Sequence, residues 1–109
     1  MTKVVISRRN GFIHALSVEG HSGYAPSGED IVCAAVTTLV QALHIGLSDV
    51  LGKPVDTCVD QESTKIALEW HGMSSEVQAI AATICESFRA LAETYPENVQ
   101  LVEVQEDAS

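Results

Sequence analysis

Positive charge is scarce in this chain. Of 109 residues only 6 are Lys or Arg, against 15 Asp or Glu, a net charge of −9 with neutral histidines. Such a field repels phosphate backbones, whereas nucleic-acid modules carry a basic face, so direct binding of nucleic acid is not expected. A cationic peptide or protein would be drawn in instead. Cysteine is scarce too: Cys33, Cys58 and Cys85 are odd in number, widely spaced and without a C-x-x-C pair, so no disulfide framework or zinc knuckle is written here. Neither a metal nor a cofactor is expected, and reduced thiols fit a cytosol. No run approaches the ~18 apolar residues that cross a bilayer. The first residues, MTKVVISRRNGF, also lack the apolar stretch of a signal peptide. A soluble cytoplasmic protein with no membrane contact is the expectation.

Apolar residues are plentiful, at 46%, enough for one buried core in a chain of this length. A single domain is expected over 1–105, with 106–109 as a short acidic tail. Lys3 to Ser7 is rich in β-branched residues, and Phe12, His14, Leu16 and Val18 alternate onto one face. Asn10-Gly11 between them is the signature of a tight hairpin, because both central positions of a type I′ turn need positive φ. Asp30 to Leu51 reads as a helix, apolar nearly all round in its first turns and therefore deeply packed, stopped by Gly52-Lys53-Pro54.

Val55 to Asp60 and Thr64 to His71 alternate again, joined through Gln61-Glu62-Ser63, with Ile66, Leu68 and Trp70 facing one way. A second helix opens at Ser74-Ser75, with Ser75 and Gln78 spaced as a capping box, and ends before Pro96. Val99 to Val104 is the last strand. The order ββαββαβ predicts an α+β fold, a five-stranded mixed sheet with two helices on one face.

Chemistry concentrates where the second strand hands over to the first helix. GHSGYAPSG, Gly20 to Gly28, is too rich in glycine, serine and proline for regular structure and reads as a mobile surface loop. His21 and Cys33 stand at its two sides, close enough along the chain to fold into contact. Cys33 falls near the helix N-terminus whether Asp30 is the N-cap or Ser27 caps one turn earlier. Free N–H groups and the helix dipole stabilise an anion at such a place, an imidazolium would add to that, and the thiolate is the nucleophile. Asp30 and Thr37, at i−3 and i+4, share a helix face with Cys33, although Thr37 can equally bond its own helix carbonyl. Backbone near Gly20 or the helix start could offer N–H donors to an oxyanion. Cys58 and Cys85 are expected as small packed hydrophobes, and His14, His44 and His71 as structural residues.

The stretch GHSGYAPSGEDIVCAAV, Gly20 to Val36, resembles the signature of the ribosomal-processing cysteine protease family, Prp, in which a G-H pair ends a strand and D-I-V-C-A-A-V opens a helix. The resemblance implies a homodimeric cysteine endopeptidase. Its dyad falls on His21 and Cys33, and the family's aspartate on Asp30. It further implies that the glycine-rich loop, with Gly20, Ser22, Gly23 and Gly28, covers the site until substrate displaces it. Such enzymes remove an N-terminal extension from a large-subunit ribosomal protein, the twenty-seventh, and a basic substrate suits an acidic enzyme. Ser22 stands where the family commonly has alanine, and Thr37 where it commonly has serine. The rival reading is a noncatalytic acidic adaptor that binds a basic ribosomal protein through the same field.

Overall fold

The computed structural model describes residues 1–20 and 30–106. The elements follow the expected order: β1 (Thr2–Arg9), β2 (Phe12–Glu19), α1 (Ile31–His44), β3 (Val55–Asp60), β4 (Lys65–Trp70), α2 (Ser75–Thr94) and β5 (Val99–Glu106). The sheet order is β3-β4-β2-β1-β5, with β1 parallel to β5 and every other pair antiparallel. One face carries Val4, Ile6, Leu16, Val18, Leu68 and Trp70 into the core, where they meet Val32, Val36, Val40 and Leu43 of α1 and Val77, Ala81, Ile84 and Phe88 of α2. The fold is α+β, a mixed five-stranded sheet under two helices. β5 runs through Glu106, one residue into the stretch expected to be tail, and 107–109 lie outside the described residues.

The β1–β2 turn has Asn10 at φ 54° and Gly11 at φ 83°, the doubly positive conformation its sequence calls for. Two residues later the strands slip: Ser7 faces Ala15 but Arg8 faces Ile13, leaving His14 as the extra residue of a β-bulge. The bulge changes which side chains face the core. Leu16 and Val18 point in as expected, but Ile13, 2% exposed, replaces Phe12 and His14 on the buried face. Gln78 holds this corner. It accepts the Ile13 N–H at 2.9 Å and donates to the Ile13 and Gly72 carbonyls at 2.9 and 3.1 Å, so the expected capping box does not form. Ser74 caps α2 instead, accepting the Val77 N–H at 3.3 Å.

α1 is less deeply packed than its composition predicts. Val32, Val36, Val40 and Leu43 are buried, but Ile31 is 56% exposed and Thr37, Thr38, Gln41 and Ala42 are also exposed. A two-layer fold has no third layer to cover the outer side of a helix. α1 continues into a π-helical turn, Ile45–Val50, closed by the Leu51 N–H on the Gly46 carbonyl at 3.1 Å. Gly46 lets α2 pack closely there, since a Cβ would meet Ile80 Cγ2 at 3.0 Å and that side chain would have to give by a few tenths of an ångström. The segment Ile31–Val50 is, by length and composition, apolar enough to cross a membrane, contrary to the expectation that no run approaches that length. Its buried stripe, including fully buried Leu47, packs on the sheet and α2 as a core helix does.

Candidate active site

β2 delivers the chain to the candidate site through Gly20, a position only glycine can fill. Its φ is +90°, and a Cβ would stand 2.6 Å from the Met1 carbonyl oxygen. The Gly20 N–H donates to the Thr64 carbonyl at 3.3 Å, which ties the end of β2 to the turn between β3 and β4. That N–H is therefore engaged by the β3–β4 turn. His21, Ser22, Gly23 and Gly28, with the rest of the loop expected to be mobile, lie outside the described residues.

On the other side of the loop, Asp30 is the N-cap of α1, extended at φ −80° and ψ 95°, and its Oδ1 accepts the Cys33 N–H at 2.9 Å. Cys33 is thus the third helical residue, as one of the two expected registers has it. Its thiol sits in the helix's first turn, where the backbone dipoles favour negative charge. Asp30 fixes the helix start on which the thiol stands. Thr37 lies one turn further along and lines the same cleft.

Cys33 is half-buried in a cleft of about 310 Å³. The floor and near wall are apolar, from Val18, Val36, Val40 and Ile66. The far wall comes from the β3–β4 turn, Asp60, Gln61, Thr64 and Lys65, residues that the sequence reading did not connect with the site. Their proximity follows from register, because Lys65 pairs with Glu19 and so sets the turn beside Gly20. Asp60 is a fixed anion: the Ser63 side chain above all, then the Glu62 and Ser63 N–H groups, and also Lys65, hold its carboxyl below the ordinary carboxylate range. Thr64 adopts φ 52°, a left-handed conformation costly for a β-branched residue. That conformation was legible as an anomaly, since Gln61-Glu62-Ser63-Thr64 turns a hairpin without the Gly or Asn such a position favours.

The other candidates separate by environment. Cys85 is 2% exposed, and burial first of all pushes its thiol up to about 11, so it stays protonated and inert. Cys58 is exposed on β3, not packed as expected, because β3 is an edge strand with five of its six residues exposed. His14 sits with Nε2 3.0 Å from Glu106 Oε2 but without hydrogen-bond alignment. Arg9 also binds Glu106, at 2.9 Å, and holds its carboxyl below the usual range. His71 is exposed after β4, and His44 ends α1.

A family model described as Cysteine protease Prp matches residues 1–100. Among solved structures, SMU.848 from Streptococcus mutans is 26% identical, with 97% of this chain and 96% of that one covered at a TM-score of 0.84. The essential ribosomal processing protease Prp from Staphylococcus aureus, in complex with a covalently linked product peptide, is 23% identical over 94% of this chain and 99% of that one, TM-score 0.82. The same protease with a substrate peptide is 22% identical, with the same coverage and TM-score. A search of curated proteins returns no match.

Proposed function

Since the chain belongs to the cysteine protease Prp family, we propose that it is a cytoplasmic endopeptidase that removes the N-terminal extension of a basic large-subunit ribosomal protein, the twenty-seventh. The carrying observation is the placement of Cys33, a half-buried thiol at the start of α1 that opens into a peptide-sized cleft. His21 takes the Cys33 proton, and the thiolate attacks the scissile carbonyl. His21 then protonates the leaving amine, and water releases the acyl-enzyme. Asp30 orients the helix start, and Thr37 presents a hydroxyl to the cleft.

The apolar floor suits a hydrophobic residue of the recognition sequence, and the Asp60 carboxylate suits basic residues beside it. Charge supports the substrate class, since a chain of net −9 attracts a basic protein. We propose a homodimer as well: in an acidic chain, the uncharged outer side of α1, with Ile31, Ala34 and Thr38 bordering a groove against Ser87 and Ala90 of α2, is where two copies meet without charge repulsion.

The test is incubation with the extended ribosomal protein, mass spectrometry of the product, and a Cys33→Ala control. A shortened product with the wild-type chain and none with Cys33→Ala is expected. Intact substrate beside folded, reduced wild-type protein overturns the peptidase reading and leaves the acidic adaptor.

A further inference from the structure

Tryptophan, tyrosine and phenylalanine are few in this chain, yet a single hollow away from Cys33 gathers the only tryptophan, one of the 2 phenylalanines and two of the 4 histidines. Its volume is about 330 Å³, at the lower end of small-molecule sites. The hollow lies at the β1–β2 turn, whereas the cleft lies at the other end of β2, about 23 Å away along that strand. Its inner wall is preformed. Trp70 and Ile13 are each 2% exposed, and the Ile13 carbonyl accepts both the Trp70 indole N–H at 3.1 Å and Gln78 Nε2 at 2.9 Å. With these polar groups satisfied, that wall offers a ligand ring and aliphatic surface. Phe12, 38% exposed, and Met73, 70% exposed, line the hollow as apolar side chains that a bound ring would cover.

The charge of the lining has one sign. Asp and Glu outnumber Lys and Arg by 15 to 6 in the chain, but among the described residues no acid lines this hollow and Arg9 does. Arg8 adds a second cation at the same end of β1. Arg9 binds Glu106 through one terminal nitrogen at 2.9 Å, and a guanidinium carries five N–H donors in a planar fork, more than that one bond uses. Asn10, exposed beside it, lines the hollow with a side-chain amide.

We infer that this hollow is a second binding site, for a small planar aromatic carboxylate, with the ring against Phe12, Trp70 and Met73 and the carboxylate on Arg9 and Asn10. The inference goes beyond the peptidase reading and does not depend on it. The ring displaces water from Phe12 and Met73, while the carboxylate keeps one edge in solvent because Arg9 and Asn10 are exposed. Glu106 opposes the ligand, being the acid already on Arg9, and the net charge of −9 opposes it more weakly from farther off. The affinity is therefore modest, and one removable acid limits it.

The experiment titrates nitrogen-labelled protein with naphthalene-2-carboxylate and with naphthalene-2-carboxamide, its uncharged match in shape, and follows the single indole N–H signal by NMR. The carboxylate is expected to shift the Trp70 indole signal saturably with a Kd of about 1 mM or tighter, and the carboxamide to bind about fivefold more weakly. Arg9→Met removes that preference by weakening the carboxylate alone. Glu106→Gln, which frees Arg9, is expected to tighten the carboxylate about threefold and leave the carboxamide as it was. A gain of affinity cannot come from damaged folding. The backbone signals of Cys33 and Thr37 stay in place throughout. The site is overturned by the absence of a saturable indole shift, by equal binding of the two probes to wild-type protein, or by a Glu106→Gln variant that binds the carboxylate no tighter. Shifts at Cys33 and Thr37 in place of Trp70 put the probe in the cleft and overturn it equally.

Discussion

Cys33 and Cys85 are the same side chain on two helices of one small domain, and their surroundings make them opposites. Cys33 stands in the first turn of α1, its N–H held by the Asp30 carboxylate, its thiol half-buried in an open cleft. Cys85 lies in the middle of α2, where its backbone groups are spent within the helix, its side chain is 2% exposed, and burial raises its thiol to about 11. Over it, Arg89 bridges to Glu103 at 3.0 Å and Glu86 at 3.3 Å, a surface network that ties α2 to β5. Position on the helix, more than residue type, separates a thiol that opens into a cleft from one spent in packing.

The sharpest way to break the contrast is to exchange the two losses. Cys33→Ala is expected to reduce peptide cleavage at least about a thousandfold with an unchanged thermal midpoint, whereas Cys85→Ala leaves kcat within about twofold and lowers stability. Steady-state kinetics beside calorimetry reads both. Next, Phe88→Ala opens a cavity one turn from Cys85. Phe88 is fully buried, so the loss is about 3–5 kcal/mol by urea unfolding, and Cys85 becomes open to alkylation through unfolding while Cys33 reacts as before.

Smaller in size, Asp30→Ala removes the cap on which Cys33 depends and is expected to cost about 1 kcal/mol, together with slower alkylation of Cys33 but not of Cys85. Alkaline titration sharpens the other half. Because the folded-state pKa of Cys85 is raised from 9.0 to about 11, its contribution to stability is fully present below pH 9 and disappears as pH climbs through about 11. The thermal midpoint should fall over that range by more in wild-type protein than in Cys85→Ala. The smallest effect belongs to the cleft wall: Thr64→Gly relieves a left-handed φ and should stabilise the fold by about 0.5–1 kcal/mol in the same urea assay.

The contrast was half legible from the sequence. Gly20, Asp30 and Cys33 could be placed because hairpin chemistry, a capping aspartate and apolar periodicity are local signals, and the order ββαββαβ followed from them. Long-range register was not legible. Nothing local to Asp60, Thr64 or Lys65 says that β4 pairs with β2 and carries the turn to the cleft. The bulge at His14 likewise reverses the alternation read for β2, and it depends on how β1 pairs and on Gln78 arriving from α2. The exposure of Cys58 is hidden for a related reason, since an alternating strand does not announce whether it lies in the sheet's middle or at its edge.

The most direct trial of the account is mass-spectrometric alkylation of the native protein with iodoacetamide at pH 7, resolved by cysteine and repeated in His21→Ala. The account predicts that Cys33 reacts fastest, well ahead of exposed Cys58, while Cys85 stays unmodified, and that Cys33 alone slows in His21→Ala. A Cys33 no faster than Cys58 and indifferent to His21 would contradict it.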